Sequence, residues 1–196
     1  MKDTAGDIAL YVHWPFCLSL CPYCDFNSHV RDAIDQAAWR DGLLRELEHY
    51  AARIPGRRLT SIFFGGGTPS LMPPETARAV ITRARELFVP DPDIEITLEA
   101  NPTSAEQAAL AGFADAGVNR LSLGVQALDD AALSALGRTH AVSEARAAIA
   151  TAGDIFDRFS FDLMYARPGQ TPDAWMRELD TALALVRGHI SVYQLT

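Results

Sequence analysis

Six short runs rich in β-branched and aromatic residues, at positions 8–13, 61–64, 94–98, 120–124, 160–163 and 190–195, alternate with longer segments of helical periodicity. Over most of the chain the unit recurs about once per 32 residues. Each run is short and mostly apolar, as parallel strands buried on both faces are. Alternation of this kind leaves a parallel sheet with helical crossovers as the architecture.

The helical segments carry apolar stripes. Trp39, Leu43, Leu44, Leu47 and Tyr50 mark one face of the first. Ala77, Val80, Ile81, Ala84, Leu87 and Phe88 mark the second, which Pro73 or Pro74 opens. Ser104 and Gln107 form a capping box for the third, and Gly117 ends it. Asp129 starts a short helix that Gly137 closes, and Ala145, Ala148, Ile149 and Ala152 stripe another that Gly153 closes. Thr171 caps the last, with Pro172 at its first position.

An open doubly wound sheet and a barrel both fit this pattern. The polar residues discriminate between them. Cysteines follow the first strand, Gly65-Gly66-Gly67-Thr68 the second, Glu99 the third and Gln126 the fourth, and Asp162 stands at the end of the fifth. A ring of functional strand ends on one face is the arrangement of a barrel. Six strands make a partial (β/α)6 TIM-like barrel of the α/β class, open on one side.

Seventeen Lys and Arg against 25 Asp and Glu give a net charge of −8. A phosphate backbone needs clustered cations, so no nucleic-acid partner is expected. No apolar run approaches the roughly 20 residues of a membrane span, and Met1 to Asp7 carry no secretory apolar region. A cytoplasmic location follows as an expectation. The three cysteines all fall between positions 17 and 24. An odd, tight set in a reducing compartment points to a metal site and away from disulfides. The final run, ending at Leu195-Thr196, reads as a strand with nothing after it to pack on it, so further chain is expected to follow.

Cys17-Leu18-Ser19-Leu20-Cys21-Pro22-Tyr23-Cys24 has Cys-x3-Cys-x2-Cys spacing. Three thiolates on one loop can wrap three corners of a [4Fe–4S] cubane. The fourth iron is then free to chelate the amino and carboxylate groups of S-adenosylmethionine (SAM), whose one-electron cleavage yields a 5′-deoxyadenosyl radical. A structural zinc site is the alternative, with His13 or His29 supplying a fourth ligand.

Gly65-Gly66-Gly67 is by itself a tight turn; after a strand, it also lets a ligand approach the backbone and offers N–H groups to a carboxylate. Glu99, at the end of an apolar strand, is costly unless paired and suits ribose hydroxyls; a solvated strand-end acid is the plainer reading. Gln126 and Asp162 follow the same logic. Arg138 can bind a carboxylate bidentately or be a helix-end surface cation. His13 lies just upstream of the cysteine loop, and none of the five histidines is assigned as a ligand.

Together these stretches resemble the oxygen-independent coproporphyrinogen III oxidase family and its relatives, the HemW-type haem chaperones. The match runs through Ala9–Cys17 (ALYVHWPFC), CPYCDFNS at 21–28, FFGGGTPS at 63–70, EANP at 99–102, LGVQ at 123–126, LGRTH at 136–140, FDLMY at 161–165, RPGQT at 167–171 and SVYQLT at 191–196. The resemblance implies a [4Fe–4S] cluster on Cys17, Cys21 and Cys24, and SAM contacts at Tyr11, Gly66 and Glu99. In the oxidase a second SAM is held by residues matching Gly67, Thr68, Gln126, Arg138 and Asp162. It also implies an electron donor for the cluster, and haem or a porphyrinogen as ligand.

One departure divides the family. The oxidase has a further cysteine two positions after the third cluster cysteine, and Phe26 stands there. The Cys-Asp-Phe-Asn-Ser version is similar to the haem chaperones, which hand haem to haem-accepting proteins. The alternative is a coproporphyrinogen III dehydrogenase, converting propionates to vinyls in porphyrin biosynthesis. Residues 1–196 correspond to a radical SAM core, and the family's C-terminal domain, with its haem-associated histidine motif, has no counterpart in this sequence.

Overall fold

The computed structural model describes residues 6–195. Met1 to Ala5, most of the segment judged to lack a secretory signal, and Thr196, the end of the last matched stretch, lie outside the described residues.

The elements run β1 (Asp7–Trp14), β2 (Phe16–Cys17), β3 (His29–Val30), α1 (Gln36–Ala51), β4 (Arg58–Gly66), a 3-10 turn (Pro69–Leu71), α2 (Pro74–Leu87), β5 (Val89–Ala100), α3 (Ser104–Ala116), β6 (Arg120–Gln126), α4 (Asp130–Ala135), α5 (Val142–Ile155), β7 (Arg158–Tyr165), α6 (Pro172–Leu183) and β8 (Ser191–Gln194). The main sheet has the order β1-β4-β5-β6-β7-β8, parallel throughout. Spatial order equals chain order. A doubly wound sheet reverses its order at a switch point; this one never does, so its right-handed crossovers all fall on one side. The sheet curls into the half-barrel that the sequence predicts.

Alternate strand positions separate two faces. Ile62, Phe64, Ile96, Leu98, Leu121, Leu123, Phe159 and Phe161 join Ala77, Val80, Ile81, Phe113, Ala148 and Ala152 of the helices in one buried core. The intervening positions carry Ser61, Glu95, Thr97, Glu99, Ser122, Ser160 and Asp162, so the concave face is polar. No helix among the described residues is long and apolar enough to cross a membrane.

Three local expectations are corrected. Thr103, not Ser104, caps α3: its hydroxyl accepts the Glu106 N–H, and Glu106 rather than Gln107 is the acidic partner. Glu106 prevails because it is buried and also accepts from Asn101 N at 2.7 Å and from the Ser70 hydroxyl. Gly153 does not close α5, which continues to Ile155; Arg187 Nη1 donates to the Gly153 carbonyl at 2.9 Å, where a Cβ would meet that nitrogen at 2.5 Å. In α1, Leu47 is buried, but Tyr50 is exposed. Trp39, at the rim, packs edge-on against Phe16 at 4.9 Å, bracing the entry to the cysteine loop.

The remaining caps stand as read. Pro74 is the first residue of α2, Gly117 closes α3 at φ 108°, and Asp129 and Thr171 accept from Ala132 N and Ala174 N. The β2–β3 pair was not legible in the sequence. It clamps the two ends of the cysteine loop, with Phe16 opposite His29 and Cys17 opposite Val30.

Candidate functional site

A cavity of about 500 Å³ opens at the carboxyl ends of the strands, within the size range of small-molecule sites. Cys17, Cys21 and Cys24 line it, together with Gly66, Gly67, Thr68, Glu99, Gln126, Arg138 and Asp162. Ten of the eleven residues singled out from the sequence therefore share one cavity. Tyr11 does not line it. It stands beside it on β1, its ring 6.1 Å from that of Phe63 and its hydroxyl 3.2 Å from His13 Nδ1. Burial and the nearby Glu99 charge push its phenol up.

The loop bearing the thiols is pinned at both ends. His29 N donates to Pro15 O at 2.7 Å, and the His13 ring reaches Asn27 O through Nε2 at 2.9 Å. Inside it, Cys24 N closes a turn onto Cys21 O at 3.1 Å. The glycine loop crosses underneath: Gly67 N donates to Trp14 O and Thr68 N to Phe16 O, each at 2.8 Å. A Cβ on Gly67 would lie 2.8 Å from Phe16 O and 3.0 Å from Cys17 Sγ. Gly66 has φ 114°, and a Cβ there would meet the His13 ring at 2.7 Å. Glycine is required at both positions, for close approach and for left-handed backbone.

All three cysteines are free thiols. Among the described residues no three His, Cys, Asp or Glu side chains converge on a single-ion position. Tetrahedral zinc draws its ligands onto one ion, whereas a cubane takes each thiolate on a different iron, which suits thiols spread around a cavity. Two donors already face the sulfurs: Thr68 Oγ1 lies 3.5 Å from Cys17 Sγ, and Arg138 Nη1 lies 3.6 Å from Cys21 Sγ. Arg138 is the only Lys or Arg lining the cavity among the described residues, and its buried Nε has no partner. A thiolate-held anionic cluster fits this donor set.

Glu99 accepts from Gly66 N at 3.3 Å. Burial pushes its carboxyl up to about 7, the Gly66 N–H holds it back, and the Asp162 charge adds to the rise. Burial raises Asp162 too, against Ser191, Arg138, His189 and Ser122. His140 is pushed down to about 4 by burial and by Arg138; it is neutral, with Nε2 bonded to Val125 O at 3.1 Å.

Gln126 adopts φ 70°, a left-handed conformation that costs a side-chain-bearing residue about 1–3 kcal/mol. It turns the chain out of β6 into the cavity wall, where its Oε1 accepts from the Tyr193 hydroxyl. Asn101 and Tyr193 are site residues that the sequence reading left without a role. Both lie inside the matched stretches EANP and SVYQLT, and their partners are distant in sequence.

The Radical SAM superfamily model matches residues 11–182. The chain is 46% identical over 189 residues to the bovine protein called radical S-adenosyl methionine domain-containing protein 1, mitochondrial, covering 96% of this chain and 43% of that protein. It is 38% identical over 191 residues to the heme chaperone HemW of Escherichia coli K12, covering 96% and 50%. The structure of coproporphyrinogen III oxidase (HemN) of Escherichia coli, a radical SAM enzyme, superposes with a TM-score of 0.86 at 30% identity, over all of this chain and 46% of that one. The chain spans about half the length of the curated relatives it matches.

Proposed function

The chain belongs to the radical SAM superfamily, and from that premise we propose that it is the cluster- and SAM-binding core of a HemW-type haem chaperone, which binds haem and delivers it to haem-accepting proteins. The observation that carries this reading is the gathering of three thiols, the Glu99 carboxylate and the Arg138 cation around a single cavity. Cys17, Cys21 and Cys24 would hold a [4Fe–4S] cluster. With SAM bound, such a cluster supplies one-electron cleavage of the sulfonium.

The chain's own residues supply placement. Glu99, Gly66 and Tyr11 form one SAM-binding set; Gly67, Thr68, Gln126, Arg138 and Asp162 offer further ligand contacts. Arg138 stabilises negative charge beside Cys21, and the glycine loop keeps side chains out of the ligand's path. Haem binding belongs to the full-length protein, whose C-terminal domain would follow this core, and an electron donor for the cluster belongs to the proposal. So does a cytoplasmic location, although "mitochondrial" stands in the name of the bovine relative; cell fractionation tests it.

Phe26 separates chaperone from oxidase. It lines the cavity next to Cys24 and is exposed there, an apolar side chain where the oxidase carries a cysteine. The oxidase reading, a coproporphyrinogen III dehydrogenase, draws on the close superposition with HemN. A shared fold leaves the two readings open, because function resides in the site. The test is anaerobic incubation of the full-length protein with SAM, a reductant and coproporphyrinogen III. The chaperone reading predicts no carbon dioxide release and a Soret band on haem addition; steady SAM-dependent decarboxylation would replace it with the oxidase.

A further inference from the structure

Asn101 sits between two side chains that face the sulfurs, Thr68 and Arg138. Its Oδ1 accepts from Arg138 Nη2, and its Nδ2 donates to Thr68 Oγ1 at 3.3 Å. The orientation of this amide follows from the partners. A guanidinium can only donate, so the oxygen must face Arg138 and the NH2 must face Thr68. Thr68 Oγ1 then spends a lone pair on the amide, and its own proton is left for Cys17 Sγ at 3.5 Å. Arg138, held by Asn101 and by Gly124 O at 2.8 Å, keeps Nη1 toward Cys21 Sγ. The residue is itself fixed from behind, since Asn101 N donates to the buried Glu106 carboxylate at 2.7 Å.

We propose that Asn101 is a positioning residue that sets the reduction potential of the cluster by aiming Thr68 at Cys17 and Arg138 at Cys21. Donors to ligating sulfur stabilise the extra negative charge of the reduced state and so raise the potential. Neither Asn101 nor Glu106 touches a sulfur, yet together they decide whether two donors do. The inference rests on the cluster reading above.

The isosteric variant Asn101→Asp is the discriminating test. Its carboxylate still accepts from Arg138 but can no longer donate to Thr68. The Thr68 hydroxyl turns to the carboxylate and leaves Cys17, and a negative charge is added. The midpoint potential of the reconstituted cluster, followed by electron paramagnetic resonance during redox titration, should fall. The expected size is about a tenfold loss in the one-electron reduction constant, about 59 mV. Thr68→Val, which removes the donor and leaves Asn101 in place, should move the potential in the same direction. A cluster that loads fully with unchanged potential in either variant overturns the inference. So does a pair of variants that fold by circular dichroism but load no cluster, which would assign both residues to holding the loop. Failure of the unaltered protein to load any cluster would instead defeat the cluster reading itself.

Discussion

The backbone N–H of Gly66, at the end of β4, donates to the Glu99 carboxylate at the end of β5 across 3.3 Å. One bond thus ties the glycine loop to the acid that the sequence marks as costly. It is too little to offset the burial of that acid, and the carboxyl rises to about 7.

A raised carboxylate pKa has a definite sign in stability. The unfolded state releases its proton near 4.5 and the folded state near 7, so between these values the folded state binds more protons and stability falls as pH rises. Glu99→Gln should remove that decline. In the cluster-free protein the variant should be more stable above pH 7, on the order of 3 kcal/mol, and should match the parent below pH 4.5. Urea unfolding across pH 4–8 reads this directly; parallel curves for the two proteins would show Glu99 to be solvated. The same substitution should weaken SAM binding by about 1.5–3 kcal/mol for each charge-assisted hydrogen bond lost, measured by calorimetry.

Gly67→Ala tests the close approach of the glycine loop to the cysteine loop. The added Cβ would lie 2.8 Å from Phe16 O, a backbone atom that cannot swing away. Overpacking of this kind costs about 1–3 kcal/mol, and the displacement should reduce cluster uptake. Gly169→Ala is the comparison on the left-handed backbone alone, because its Cβ meets nothing within 4 Å. It should lose only the strain energy and keep full iron content.

Most of the fold was legible because strand runs, caps and glycines are local signals. The strand-end positions of the thiols, Glu99 and Gln126 select the barrel; Asp162, expected at the end of its strand, lies inside β7, which runs on to Tyr165. What escaped was set by tertiary packing. The slip from Ser104 to Thr103 at the α3 cap follows from Glu106, whose burial depends on Ser70, 36 residues earlier. Gly153 looked like a helix end because its other reason for being glycine, the approach of Arg187, lies 34 residues away. Tyr11 carried a family implication that alternation on an edge strand could not place, and Asn101 gains its role only when Thr68 and Arg138 meet across it.

Away from the cavity, Arg167 and Glu178 form the ion pair that should matter most for stability. Their side chains are only 10% and 8% exposed, and Glu178 also accepts from Leu128 N at 2.7 Å and from Gln170 Nε2 at 3.1 Å. Glu178→Ala leaves a buried guanidinium unpaired and should cost about 3–5 kcal/mol in chemical denaturation. Asp41→Ala breaks the exposed pair with Arg40 and should cost about 0–1 kcal/mol. Equal effects would mean that the buried pair is open to water.

Cys17, Cys21 and Cys24 would hold a cluster whose remaining iron accepts SAM. The most direct test is electron paramagnetic resonance of the anaerobically reconstituted, dithionite-reduced protein with and without SAM. The expected result is a reduced [4Fe–4S] signal that changes on SAM addition and is lost in Cys17→Ala, Cys21→Ala and Cys24→Ala alike. A protein that takes up one zinc and no iron, or a cluster signal indifferent to SAM, would contradict it.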